Sequence, residues 1–162
     1  MMMRILLLGV LLFVSPQAWA QETFMPTEAE RATISDCIAR TASEPELKQM
    51  SACIGLVAGP CAEAPDANTF SLVACHEQTI WDEHLNAWYG EVQVRLKDDA
   101  ASAGALKAAQ RDWIAFRDAK CVYWAKRYEG GTIASVMTGE CMRVETGRRA
   151  LEMRAIFEDL DH

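Results

Sequence analysis

LKAAQRDWIAFRDAKC, residues Leu106 to Cys121, is the stretch whose reading decides the fold. Leu106, Ala109, Trp113 and Phe116 recur at the spacing of one helix face. An overlapping stripe runs Gln110, Trp113, Arg117, Cys121 and Trp124, so polar side chains stand where a bundle ordinarily takes aliphatic ones. The stretch ends on a cysteine, and the chain passes Gly130, Gly131 and Gly139 before it reaches Cys141. Glycines turn where a Cβ would be strained. A Cys121 to Cys141 disulfide would therefore staple this helix to a loop and the next helix, and closing about 20 residues contributes roughly 3 kcal/mol in the chain-entropy model.

Helical periodicity continues on both sides. Thr27 to Arg40 reads as a first helix with Thr27 as N-cap, Glu30 at capping-box spacing, and Ile34, Cys37 and Ile38 on one face. After Pro45, a second helix to about Val57 carries Leu47, Met50, Cys53, Ile54 and Val57. Gly59, Pro60, Pro65, Asp66 and Asn68 interrupt the pattern as a loop. From about Ser71 to Ala100 the stripe Leu85, Trp88, Tyr89, Val92 and Leu96 marks a long helix, and Ser102 to Gly104 a turn. A last helix, from about Glu140 to Leu160, presents Met142, Glu145, Arg149, Met153, Ile156 and Leu160. The expected fold is all-α, a disulfide-stapled antiparallel bundle of about five helices in one domain, residues 21–162.

Residues 1–20 read as a signal peptide: Arg4, the apolar run ILLLGVLLFV, then Ala18-Trp19-Ala20 as a cleavage site. The run is short for a membrane span, no later stretch replaces it, and the residue directly after the cleavage site is Gln21 and not a cysteine that could carry a lipid. The expectation is a periplasmic or secreted protein with no stable membrane anchor. All 6 cysteines follow the leader, as in an oxidised exported domain. Adjacency pairs Cys37 with Cys53, Cys61 with Cys75, and Cys121 with Cys141, although Cys53 and Cys61 can exchange partners.

The net charge is −7, becoming −8 once Arg4 leaves with the signal peptide. Nucleic acid and anionic membranes are disfavoured by that balance; a cationic protein partner is compatible with it, and the plainer reading of the charge is solubility. Nothing marks an enzyme. His76 and His84 sit two helical turns apart, His162 is terminal, the cysteines are dispersed, and no nucleophile elbow, HExxH, P-loop or dinucleotide fingerprint occurs. No catalytic residue, metal site or cofactor is expected.

The polar residues on the stripes have two readings. Arg117 and Arg149 can satisfy carboxylates such as Asp82 inside a buried network with Asn86 and Gln110. Alternatively, Gln110, Arg117 and Arg149 line a pocket, where arginine forks suit a carboxylate-bearing or peptidoglycan-derived ligand of a non-enzymatic cell-envelope module. Tyr123, Trp124 and Tyr128, just before the glycines, are core residues or interface anchors.

Four motifs in order carry a resemblance. They are Trp81-Asp82-x-x-Leu85-Asn86-x-x-Tyr89, Leu106-Lys107-x-x-Gln110-x-x-Trp113-x-x-x-Arg117-Asp118-x-x-Cys121, Gly130-Gly131-Thr132, and Cys141-x-x-x-x-Thr146-x-x-Arg149. Together they resemble the LprI-type lysozyme inhibitor N-terminal-domain family over about half of the mature chain. The resemblance implies a small helical, disulfide-bonded envelope protein that inhibits lysozyme, with residues 71–162 as the family core and 21–70 as a diverged cap. Lysozymes are commonly cationic and cut glycan with two carboxyl groups at the base of a cleft. An acidic inhibitor would be steered to such a target, and a loop pre-organised by the staple would block the cleft at low entropic cost. The candidate loop is Glu129 to Thr138, where Gly130 and Gly131 permit close approach and Thr132, Ser135 and Thr138 offer hydroxyls.

Overall fold

The computed structural model describes residues 25–57, 67–131 and 133–160, and for 67–75 the backbone alone. Among them are five helices and no strand: α1 (Glu28–Arg40), α2 (Glu46–Cys53), α3 (Ala67–Arg95), α4 (Ala100–Arg127) and α5 (Ile133–Asp159). The signal-peptide segment, Cys61 and its pairing with the Cys75 side chain, Thr132 and His162 lie outside the described residues.

Local chemistry sets the helix ends. Thr27 Oγ1 accepts from the Glu30 N–H at 3.2 Å while the Glu30 carboxylate accepts from the Thr27 N–H at 2.6 Å, the reciprocal box expected for α1. Asp99 caps α4 by accepting from the Ser102 N–H at 3.1 Å. Several boundaries differ from expectation. The long helix runs Ala67–Arg95 rather than about Ser71 to Ala100, so the turn falls before Asp99, and Ser102 to Gly104, expected as that turn, lie inside α4. The second helix stops at Cys53 rather than Val57, because Ile54 turns extended and Gly55 takes a φ of 107°, in the left-handed region. The last helix begins at Ile133 rather than about Glu140, with Gly139 inside it. A helical glycine costs only about 1 kcal/mol, and Ile133, Met137 and Cys141 continue the helical spacing through it.

Contacts far apart in sequence fix the packing. Arg95 lies 3.8 Å over the Phe157 ring and Arg143 pairs with Glu77, so α3 runs parallel to α5. Cys121 to Cys141 and Gln110 to Arg149 set α4 antiparallel to α5. The α3 and α5 pair buries Trp81, Leu85 and Val92 against Ala150, Leu151 and Met153, with Ile34, Cys37, Ile38 and Cys53 closing the base. Each large apolar side chain fully withdrawn from water contributes about 1.5–3 kcal/mol. Both the Cys37–Cys53 and Cys121–Cys141 disulfides are present. On the α1 side His84 stacks on Trp88 at 5.1 Å, and burial lowers its pKa against the opposing charge of Glu83.

By contrast, α4 lies on α5 and its backbone scarcely approaches α3. Its inward stripe is the second of the two read from the sequence, Gln110, Trp113, Arg117, Cys121 and Trp124. Phe116, expected in the core, is 56% exposed because the stripe that packs on α5 is rotated away from it.

Candidate functional site

Three polar features lie on this frame, and the first was not legible as such in the sequence. Glu77 is fully buried. One carboxylate oxygen accepts from the Gly55 N–H at 2.6 Å, Trp81 Nε1 at 2.9 Å and Arg143 Nη1 at 3.3 Å, and the other accepts from the Val57 N–H at 3.2 Å. A carboxylate held in this way ties the chain after α2 to α3 and α5. Burial penalises the charge of Arg143, but its bonds to Glu140 and the charge of Glu77 outweigh this and hold its pKa above the ordinary value. The available clue was position: Glu77 stands three and four residues before Ile80 and Trp81, on the same helix face.

The second feature is a polar layer between α4 and α5. Arg149 is almost wholly buried. It donates from Nε to Gln110 Oε1 at 2.9 Å, pairs with Glu152 at 2.8 Å, and holds its guanidinium 5.8 Å from the Trp113 ring, which Arg117 approaches at 5.0 Å from the same helix. Arg117 pairs with its neighbour Asp118 at 2.8 Å, and Lys120 reaches Glu145 at 2.8 Å. The expected partnership of these arginines with Asp82 is not formed. Asp82 instead accepts from Asn86 at 2.9 Å on the exposed side of α3, since a residue four positions on is nearer than another helix. Tyr89 is half-buried beside the core. Thr146 is fully buried, and its Oγ1 and Arg149 Nη2 have no hydrogen-bond partner among the described residues. One turn apart on one face of α5, they suit an internal water. The layer is a buried network rather than an open pocket.

The third feature is the tip between α4 and α5. The chain reverses over Tyr128 to Gly131, where Gly130 takes a φ of 82° and a Cβ there would meet nothing within 4 Å. The loop expected from Glu129 to Thr138 is therefore much shorter: Ser135 and Thr138 belong to α5, and the Thr138 hydroxyl donates to the Ala134 carbonyl at 2.7 Å. Glu129, Gly130 and Gly131 remain exposed, with Glu129 paired to Lys126 at 3.1 Å. Behind the tip Trp124 and Tyr128 stack at 6.1 Å, whereas Tyr123 faces outward. No cluster of three His, Cys, Asp or Glu residues able to hold a metal occurs among the described residues.

The staple, the Gly130-Gly131 tip and the Trp113–Arg149 layer fall within residues 61–153, which match the model of the family described as lysozyme inhibitor LprI. The chain belongs to the LprI family. This membership implies a lysozyme-inhibitor-like, non-catalytic protein of the kind typically found outside the cytoplasm. The LprI member is also 27% identical to uncharacterized protein R02472 of Rhizobium meliloti (strain 1021) over 113 residues, 63% of this chain and 81% of that one. No solved structure matches. Among the described residues, no helix is long and apolar enough to cross a membrane.

Proposed function

We propose that this LprI-family protein is exported and binds a cationic, glycan-cleaving lysozyme, entering its cleft with the α4–α5 tip. Family membership carries the reading, and two physical features support it. The acidic balance of the chain, −7, favours rapid encounter with a cationic enzyme. The tip is exposed and held on both sides by Cys121 and Cys141, so little conformational entropy remains to be lost on binding. Backbone at Gly130 and Gly131 can approach a narrow cleft.

The test is residual activity of a chicken-type lysozyme on cell walls, titrated with the oxidised protein at low and physiological salt. Stoichiometric inhibition, weakened by salt and abolished by Gly130→Val with Gly131→Val, is expected. Inhibition unchanged in that variant would remove the tip from the contact, and no inhibition of any lysozyme would remove the target.

A further inference from the structure

Charge is unevenly distributed along this acidic chain. Helix α4 contains six basic residues, Lys107, Arg111, Arg117, Lys120, Lys126 and Arg127, against two acidic ones, Asp112 and Asp118, a formal +4. The rest of the chain therefore sums to −11 to reach the total of −7. Asp118 is occupied by Arg117 and Asp112 by Arg111, Lys120 and Lys126 are paired with Glu145 and Glu129 from outside the helix, and Lys107 and Arg127, near its two ends, have no acidic partner among the described residues. Ionic screening acts over about 8 Å at physiological salt, so a surface placed against α4 meets the charge of α4 rather than that of the molecule.

The same helix exposes unusually much apolar surface. Only Cys121 is fully buried in its 28 residues. Phe116, Val122 and Tyr123 are 56%, 52% and 56% exposed on the half that faces away from α5, and Ile114, 41% exposed, lies nearer the α5 side. At 100° per residue, Lys107 and Arg111 fall along one edge of that half and Lys120 and Arg127 along the other. Ala108, Ala115 and Ala119 lie between them and leave no bulky side chain to hold a flat partner away.

Three occupants can be weighed. A second copy through the same helix would set like charge against like, and so would a cationic lysozyme laid along this face rather than engaged at the tip. An anionic partner is attracted on both edges. The face is a convex cylinder on which Phe116, Val122 and Tyr123 share the space between two cationic edges with Lys126 and with Asp112, itself paired to Arg111, an arrangement that lets a helix lie in the headgroup plane of a bilayer, its apolar residues dipping in and its lysines reaching out to phosphates.

We infer that the outward half of α4 is a docking face for an anionic lipid surface, giving reversible peripheral association. This goes beyond the lysozyme reading and does not depend on it. Docked through α4, the protein would turn its acidic remainder toward solution.

The experiment is co-sedimentation of the oxidised full chain with phosphatidylglycerol–phosphatidylcholine vesicles and with phosphatidylcholine alone, at low and physiological salt. Binding to the anionic vesicles only, weakened by salt, is expected. Replacing the two uncompensated cations, Lys107→Gln with Arg127→Gln, should weaken partitioning by about thirtyfold. Phe116→Ser with Tyr123→Ser should weaken it further, and both variants should keep the helical circular dichroism and any lysozyme inhibition. Absence of binding to anionic vesicles at low salt overturns the inference, as does binding that none of these substitutions alters. Binding to soluble polyglutamate with none to vesicles assigns the face to an acidic macromolecule and equally overturns it.

Discussion

Helices α3 and α4 are nearly equal in length and both run along α5, yet they are held by different means. The first is held by burial: Trp81, Leu85 and Val92 are out of water, and the Glu77–Arg143 pair is locked inside the same interface. The second is held by discrete links, a disulfide at one end, an Asp99 cap at the other, and the Arg149–Gln110 and Glu145–Lys120 contacts between. Two helices of similar propensity thus contribute unequally to stability, because packing against apolar surface and not helix formation supplies most of the free energy. The less embedded helix has its outer surface available for partners.

The comparison can be broken most sharply at Glu77. Replacing it with Ala would leave Arg143 buried beside vacant space and strand the Gly55, Val57 and Trp81 donors, a change that typically costs about 3–5 kcal/mol. Urea denaturation should show a loss of this size in a single transition, and a loss below about 1 kcal/mol would contradict a saturated buried carboxylate.

Severing the α4 staple should come next. Cys121→Ser with Cys141→Ser removes a cross-link contributing roughly 3 kcal/mol, and amide hydrogen exchange should accelerate in α4 and the tip while the α3–α5 core stays protected. Uniform acceleration across all helices would mean that α4 is as integral to the core as α3.

Glycine substitutions sharpen the contrast on a smaller scale. A Cβ at Gly147 would come within 3.0 Å of Ile54 and 3.2 Å of Trp81, so Gly147→Val should destabilise by about 1–3 kcal/mol. At Gly104 in α4 a Cβ meets nothing, so Gly104→Ala should stabilise by up to about 1 kcal/mol through helix propensity. Thermal melts that move in the same direction for both would remove the distinction between a packed and an open helix.

Much of this architecture was legible in the residues. The Thr27–Glu30 box, the stripe from Leu85 to Leu96, and the staple closing between neighbouring cysteines all depend on groups close in sequence, where spacing reports geometry. The candidate site was less legible. Gly130 and Gly131 do make the turn, but Ser135 and Thr138 read as loop because glycines read as helix breakers, and α5 absorbs Gly139 instead. Arg149 and Gln110 both read as out of place on their stripes, whereas Glu152 as a partner of Arg149 does not, since a stripe gives a direction and not a neighbour.

By itself, the sequence determined that this chain forms amphipathic helices tied by disulfides and carries the motifs of its family, because 3.6-residue periodicity, caps and glycines act over one or two turns. Only the tertiary structure decided that Glu77 meets Arg143 across 66 residues, that α4 turns Phe116 and Tyr123 to solvent, and that its cations remain on an open face. Those outcomes depend on which stripe of each helix is chosen when three helices share one core, and long-range packing makes that choice.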